Sequence, residues 1–250
     1  MLFGLDGVDS SDSVMLVALD RVHQKIKLIS LARDSYVFIP EFASFSKLAY
    51  SYTWGGAAMA VKNLNYNYYL NVSDYIAVDF DQLAEIIDRI GGVTVNIDED
   101  EARYLSNYPN VHVGDCLLDG ETAVSYARIR KSSATDSDRK RTGRQREVIL
   151  SILNTLQTMP LSQYPGFVRD CLGMCATSFE AETLLTMAAE TLGQNYTVEQ
   201  YFFPEGQVDW WAGLIKEYFY YVYDLRRASD RIYRIIYEAV SYTHLTLPTT

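Results

Sequence analysis

The chain has 250 residues, of which 48% are hydrophobic and 22% charged, so it can bury a large core and is not disordered by composition. Its formal net charge of −10 argues against nucleic acid as the main partner, because such binding needs broad phosphate neutralisation. No apolar run reaches the roughly 18 residues that predict a membrane-spanning helix.

Hydrophobic patterns in the first hundred residues predict strands that alternate with helices. The expected strands, the first two joined by a hairpin turn, are 13–20, 25–30, 75–80 and 93–97. The expected helices are 57–64, after the Gly55-Gly56 break, and 81–90, which Gly91-Gly92 ends.

The second half continues the same alternation. The expected elements are a short helix 119–125 leading into an extended segment with Arg128 and Arg130, helices 141–156, 180–191 and 224–240, and a strand 201–203. Without a linker or repeat, this order predicts an α/β fold, a single domain over residues 1–240 with a mixed central β-sheet sandwiched between α-helices. Residues 241–250 resemble a translated sequencing adapter and are expected to be a non-native tail.

Three cysteines give no disulfide framework, and the Cys171-x3-Cys175 spacing is not a zinc signature. We expect free thiols; a Cys171–Cys175 disulfide is the alternative for an exported protein.

Basic residues are concentrated between positions 128 and 146, which hold eight of the 22 lysines and arginines. Such clustering is costly through self-repulsion unless an anion offsets it, and the guanidinium fork matches phosphate oxygens in pairs. Alternate residues of an extended segment point to one face, so Arg128 and Arg130 are expected to aim at one target. A phosphate or pyrophosphate is the predicted ligand, and a solvated basic helix is the alternative for Arg141 and Arg144.

Two carboxylates, Asp6 and Asp12, flank a loop near the start of the chain. Hard oxygen ligands of this kind suit Mg²⁺, which typically binds one or two carboxylates together with substrate phosphates. Solvated turn aspartates are the alternative. The Arg33-Asp34 pair at the end of a predicted strand is a weak signal by itself.

Eight motifs in order give the sequence a family resemblance. They are Gly4-Leu5-Asp6, 11–15 (SDSVM), 29–35 (ISLARDS), 47–50 (KLAY) with Gly55-Gly56, Val78-Asp79-Phe80, 90–93 (IGGV), 123–130 (AVSYARIR) and Asp138 with 141–145 (RTGRQ). In this combination the chain resembles the LytR-CpsA-Psr family of cell-wall phosphotransferases, which attach glycopolymers such as teichoic acid or capsule to peptidoglycan.

The resemblance implies a ligand set and a reaction. Asp6 and Asp12 would hold Mg²⁺, and the remaining site residues would bind the pyrophosphate of a polyprenyl-pyrophosphate-linked glycopolymer: Arg33, Arg128, Arg130 and Arg141, assisted by Lys47, Arg144 and Gln145. The acceptor would be a peptidoglycan sugar hydroxyl. The chain departs from the family pattern at Ser35, where threonine is usual, at Arg139-Lys140 and at Arg146.

The transfer step would place Arg33 and Arg130 at the reacting phosphate, with Asp34 as first and Asp138 as second candidate for the base. An apolar trough for the polyprenyl chain is expected among these residues, each of which also fits an ordinary core: Leu64, Tyr66, Tyr68, Tyr69, Leu83, Ile86 and Ile87. The resemblance also implies an extracytoplasmic domain, anchored to the membrane by an N-terminal helix absent from this chain. The alternatives are a non-catalytic polyprenyl-phosphate sensor and a polyprenyl pyrophosphatase.

Overall fold

The computed structural model describes residues 1–7, 10–130, 134–192, 196–205 and 208–237. The side chain of Asp138 and the predicted tail 241–250 lie outside the described part of the chain.

The strands and helices interleave along the chain. The strands are β1 (Leu2–Leu5), β2 (Ser11–Asp20), β3 (Lys25–Leu31), β4 (Tyr36–Ile39), β5 (Ser44–Lys47), β6 (Ile76–Asp79), β7 (Val93–Ile97), β8 (Gly114–Leu118), β9 (Ala176–Thr177), β10 (Thr197–Phe203), β11 (Trp210–Ile215) and β12 (Tyr218–Tyr223). The α-helices are α1 (Tyr50–Tyr68), α2 (Phe80–Arg89), α3 (Glu99–Tyr104), α4 (Gly120–Arg128), α5 (Ala134–Thr158), α6 (Tyr164–Met174), α7 (Ala181–Leu192) and α8 (Leu225–Tyr237), and short 3₁₀ helices cover Pro40–Phe42 and Leu161–Gln163.

Six strands form the central sheet in the order β10-β3-β2-β1-β6-β9. β1 runs parallel to β6 and β3 parallel to β10, whereas β2 is antiparallel to both β1 and β3. The sheet is therefore mixed, as predicted. The predicted first hairpin is β2–β3, with Asp20 opposite Lys25 across its turn.

Side chains alternate along each strand, so each face of this sheet has its own apolar residues, and helices cover both faces. On one face Phe3, Val14 and Ile29 pack in a core with residues of α1 and α8, including Leu64 and Ile232. On the other face, Ile26 and Leu28 pack near Ile149 and Leu153 of α5. This sandwich confirms the predicted fold class.

Helix α1 shows how the glycine pair acts. Gly55 and Gly56 leave the helical conformation, and Gly56 has a positive φ of 64° that a side chain would strain. The regular helix after this kink contains the predicted segment 57–64 and continues to Tyr68.

Two aromatic hairpins were not predicted from the sequence. They are β4–β5, with Phe38 opposite Phe45, and β11–β12, with Trp210 opposite Tyr223. In the second hairpin aromatic residues follow one another without a polar alternation, so the period-two signal of a strand is weak.

Among the helices in the described ranges, none is both long enough and apolar enough to cross a bilayer.

Candidate functional site

One edge of the central sheet collects the ends of several strands. β1, β3, β6 and β10 all run in one direction and end there, and β2, which runs in the opposite direction, begins there. Asp6 directly follows β1, Asp12 is the second residue of β2, and Arg33 follows β3 by two positions. The topology therefore brings three sequence-distant charged residues to one edge, the usual place for ligand sites in α/β sheets.

A β-bulge presents Asp12 at this edge. Gly4 pairs with Ser13 and Leu5 pairs with Ser11, so Asp12 is an extra residue in the ladder. Bulges of this kind often redirect a side chain next to an active site. The Asp12 carboxylate forms an ion pair with Arg33 Nη1, and its Oδ2 lies 3.8 Å from Arg130 Nη2. Asp12 thus joins two of the predicted phosphate-binding arginines.

The turn after β3 holds Arg33 and Asp34. Arg33 O accepts a hydrogen bond from Ala49 N, and Ser35 O accepts one from Leu48 N, so the turn is held to the two residues that follow β5. Asp34 is only 8% exposed. Its Oδ1 lies 2.6 Å from Lys47 Nζ and its Oδ2 lies 3.7 Å from Arg33 Nε. Asp34 therefore links Lys47 to Arg33.

A chain of hydrogen-bonded hydroxyl groups connects this turn to the protein interior. Ser35 Oγ donates to Ala32 O at 2.6 Å and lies 2.8 Å from the Tyr223 hydroxyl, which in turn lies 2.5 Å from that of Tyr68. Burial raises the pKa of Tyr223 to about 12 and that of Tyr68 well above its usual value, so both phenols stay neutral. Serine here supplies the hydroxyl that the resemblance expects from threonine.

Arg128 and Arg130 are both exposed, with the fully buried Ile129 between them. The prediction of an extended segment was wrong at Arg128, which is the last residue of α4. The alternation arises because the chain leaves the helix at Ile129, whose φ of −54° and ψ of 126° are extended. The Arg128 guanidinium lies 4.6 Å from the centre of the Phe80 ring, a cation–π contact at the start of α2.

The α5 residues of the predicted site are buried, so the alternative of a solvated basic helix is wrong for them. Arg141 is 2% exposed, Arg144 4% and Gln145 9%. Arg144 Nε lies 2.6 Å from Glu101 Oε1, and its Nη1 donates to Ile129 O at 3.1 Å. Direct contact of Arg144 with a pyrophosphate stays a prediction, and these contacts favour a role in positioning the loop that carries Arg130.

Arg146 is another basic residue of α5 that turns inwards. Its Nη1 donates to Ser30 Oγ at 3.1 Å and its Nε to Gln200 Oε1 at 3.2 Å, joining α5 to the sheet. Burial lowers its pKa from the usual arginine value. This arginine serves packing of the fold.

An apolar cavity of about 310 Å³ lies between the central sheet and the helices α2, α5 and α6. Its wall is formed mainly by aliphatic side chains: Leu2, Ile76, Val78, Leu83, Ile86, Val148, Ile149, Ile152, Leu153 and Leu156. Gly4, Ser13, Phe80 and Gln145 also line it. Gly4 and Ser13 flank the Asp12 bulge and Phe80 lies under Arg128, so the cavity extends to the charged site.

The residues predicted to line an apolar trough only partly coincide with those that line this cavity. Leu83 and Ile86 line the cavity. Leu64 and Tyr68 are fully buried in the core on the other face, and Ile87 in the core around β7 and β8. Tyr66 and Tyr69 are exposed by 55% and 70%. The apolar stripe of α5 and Phe80 were missed, although the helical spacing of Val148 to Leu156 was the available signal.

The free thiols were predicted correctly: Cys116, Cys171 and Cys175 are unpaired with one another. Cys171 and Cys175 line the apolar cavity, and burial raises the pKa of both, to about 12 for Cys171.

The carboxylates of Asp6 and Asp12 fit a magnesium ion only if a substrate phosphate supplies further oxygen ligands. Asp6 Oδ1 accepts a hydrogen bond from Ser10 N at 3.1 Å, and Asp12 already pairs with two guanidinium groups. Among the described residues no group of three or more His, Cys, Asp or Glu side chains is arranged to hold a metal. Two carboxylates at one edge nevertheless match the hard oxygen donors that Mg²⁺ shares with substrate phosphates.

Comparison with known proteins identifies the class. The LytR_cpsA_psr family profile matches residues 2–233, and the chain belongs to this family. Two curated relatives, both named polyisoprenyl-teichoic acid–peptidoglycan teichoic acid transferase TagU, are 29% identical over 64% of the chain (Enterococcus faecalis) and 28% identical over 79% (Oceanobacillus iheyensis). The aligned regions cover 54% and 64% of those relatives, so the chain spans less than two thirds of their length.

Solved structures share the fold. TagT bound to LIIa-WTA superposes with a TM-score of 0.78 at 21% identity, covering 94% of this chain and 89% of that one. Bacillus subtilis TagV gives 0.77 at 20% identity over 97% and 96%. A YwtF (TagT) structure described with bound octaprenyl pyrophosphate lipid gives 0.74 at 18% identity over 94% and 88%.

Proposed function

We propose that this protein transfers a glycopolymer from a polyprenyl-pyrophosphate carrier to a hydroxyl of peptidoglycan. The observation that carries the proposal is the pairing of Asp12 with Arg33 and Arg130 at one end of an apolar cavity. A cationic rim over an apolar cavity suits an amphiphile with an anionic head. Family membership and the names of the TagU relatives support the same substrate class.

Arginines perform the electrostatic part of the proposed reaction. Arg33 and Arg130 bind the nonbridging oxygens of the pyrophosphate, with Arg128 and Arg141 contributing further positive charge. The carboxylate of Asp12 holds Arg33 and Arg130 together before the donor arrives. Preorganised charge of this kind stabilises the transition state because no reorganisation is needed as negative charge develops.

In the bond changes we propose, the acceptor oxygen attacks the phosphorus that carries the polymer sugar. The bond from this phosphorus to the bridging oxygen breaks, and polyprenyl phosphate leaves with the electron pair. The acceptor hydroxyl loses its proton to a base, for which Asp34 is our candidate. Lys47 lies 2.6 Å from Asp34 Oδ1. We propose that Lys47 moves to the anionic donor and thereby frees this carboxylate.

Mg²⁺ is part of the proposal as a further source of positive charge at the phosphates. Asp6 and Asp12 would hold the ion. Lys47 and Gln145 would assist binding of the pyrophosphate at the same edge. Arg144 would act through Glu101 and the loop that it supports. We place the domain on the outer face of the cell membrane, where its acceptor lies, with an N-terminal anchor outside this chain.

The test is an acceptor-dependence experiment. The purified protein is incubated with a synthetic polyprenyl-pyrophosphate-linked oligosaccharide, with and without peptidoglycan fragments and Mg²⁺. Polymer attached to peptidoglycan, with equimolar polyprenyl phosphate, is the expected result. Polyprenyl phosphate released equally without acceptor would identify a pyrophosphatase, and tight donor binding without product would identify a sensor.

A further inference from the structure

The hairpin β4–β5 has an aromatic face that takes no part in the proposed bond changes. Val37 and Ile39 point into the core and are fully buried. Tyr36 and Phe38 point the other way, and the register places them opposite Lys47 and Phe45. One face of this hairpin therefore consists of three aromatic rings and the lysine that contacts Asp34.

These rings form a continuous row that begins at the charged site. Lys47 Nζ lies 5.8 Å from the centre of the Tyr220 ring, which lies 4.9 Å from that of Tyr36. Tyr36 stacks on Phe45 at 5.0 Å, and the row continues from Phe45 to Phe38 at 5.3 Å and from Phe38 to Tyr66 at 5.8 Å. The aromatic row is defined as Tyr220, Tyr36, Phe45, Phe38 and Tyr66.

The outer end of the row is open to solvent. Phe45 is 53% exposed and Tyr66 is 55% exposed, although burying a large aromatic ring would stabilise the fold. Exposed aromatic side chains that lie close together are typical of binding surfaces. At its other end the row reaches Lys47, which contacts the carboxylate of Asp34, and Asp34 in turn lies beside the guanidinium of Arg33.

We propose that the aromatic row binds the pyranose rings of the acceptor glycan and guides its hydroxyl to the reacting phosphate; this inference rests on the proposed function. The apolar C–H face of a pyranose stacks on an aromatic ring, while tyrosine hydroxyls hydrogen-bond to sugar oxygens. The two exposed rings of the row, Phe45 and Tyr66, both contact Phe38, so one glycan can reach both of them.

Charge favours a neutral glycan over a lipid surface as the occupant. Binding to an anionic bilayer requires lysines and arginines around the inserted aromatic residues. Beside this hairpin, Lys62 is compensated by Glu41 at 2.8 Å, and Lys47 is compensated by Asp34. The described part of the row therefore has no excess of positive charge to hold an anionic headgroup.

The experiment compares the unchanged protein with Phe45→Ala, Tyr66→Ala and, as a matched control, Tyr104→Ala, which removes a 59% exposed tyrosine from α3. Affinity for a β-1,4-linked N-acetylglucosamine tetrasaccharide is measured by calorimetry, and KM is measured separately for donor and peptidoglycan acceptor. We expect Phe45→Ala and Tyr66→Ala each to weaken tetrasaccharide binding about tenfold. The acceptor KM rises in parallel, while the donor KM and Tyr104→Ala remain unchanged.

Tetrasaccharide affinity that is the same in Phe45→Ala and Tyr66→Ala as in the unchanged protein would overturn the inference. So would a rise in donor KM alone, or loss of binding to phosphatidylglycerol vesicles in place of the tetrasaccharide. If no variant and not even the unchanged protein transfers polymer, but the tetrasaccharide still needs Phe45 and Tyr66, the proposed function fails and glycan binding by the row stands.

Discussion

The carboxylate of Asp12 pairs with the guanidinium of Arg33 across the edge of the central sheet, between residues 21 positions apart. The bulge in β2 makes this contact possible, since it places Asp12 outside the regular ladder. Arg130 reaches the other oxygen of the same carboxylate from the loop after α4. Asp12 is therefore the residue on which the proposed arrangement of the two arginines depends.

Replacing Asp12 with alanine is expected to lower polymer transfer at least about 10²-fold, because Arg33 and Arg130 then repel each other and a proposed Mg²⁺ ligand is lost. The rate is measured with a synthetic lipid-linked donor over a range of Mg²⁺ concentrations. Asp209→Ala is the control, since the Asp209 side chain is 99% exposed and pairs only at the surface with Arg227. An unchanged rate and Mg²⁺ dependence in Asp12→Ala would refute both roles.

Arg33→Ala is expected to reduce the transfer rate by about 10²–10³-fold, the usual cost of removing one donor to developing negative charge. Arg130→Ala is expected to have a comparable effect. Arg33→Lys recovers little, because an ammonium lacks the planar fork that binds two oxygens. Arg103→Ala, which removes a 74% exposed arginine, serves as the control in the same assay. Full activity in both Arg33→Ala and Arg130→Ala would reject the assignment.

Arg144→Ala is expected to destabilise the fold by about 3–5 kcal/mol, because it leaves the buried Glu101 charge without its partner. Urea unfolding measures the difference. The double variant Glu101→Leu/Arg144→Met should regain much of the loss, since it removes both buried charges together. If Arg144→Ala costs less than about 1 kcal/mol, the structural role that we give to this pair is wrong.

Ile152→Trp is expected to fill part of the apolar cavity and to weaken binding of polyprenyl pyrophosphate at least about tenfold without loss of stability. Calorimetric titration with a soluble short-chain polyprenyl pyrophosphate measures the affinity. Leu161→Trp changes an exposed leucine and should leave it unaltered. Unimpaired binding in Ile152→Trp would place the lipid elsewhere.

Stability is expected to fall in acid partly through Asp20. Burial opposes ionisation of this carboxyl, but hydrogen bonds from His23 and Lys27 outweigh it and hold its pKa well below the usual value. A carboxyl with a lowered pKa in the folded state contributes stability above its unfolded pKa of about 4, and this contribution disappears as the pH falls further. Urea midpoints measured from pH 6 to pH 3 should therefore drop less steeply in Asp20→Asn than in the unchanged protein. A parallel decline in both proteins would contradict this account.

Local sequence patterns predicted much of the central sheet but not the burial of the basic residues of α5. The alternation in 25–30 marked a strand because its polar and apolar residues follow the pleat. By contrast, the partner of Arg144 is Glu101, 43 positions earlier, and no local pattern connects them. Periodicity likewise marks an apolar helix face without saying whether it meets a core, as at Leu64, or a cavity, as at Ile152.

The central claim is tested most directly by comparing the affinities of a short-chain polyprenyl pyrophosphate and the matching polyprenol for the unchanged protein and for the double variant Arg33→Ala/Arg130→Ala. We expect the unchanged protein to prefer the pyrophosphate by at least about 10²-fold, and the double variant to lose that preference while still binding the apolar chain. A double variant that keeps the full preference would show that the arginines joined by Asp12 do not bind the pyrophosphate.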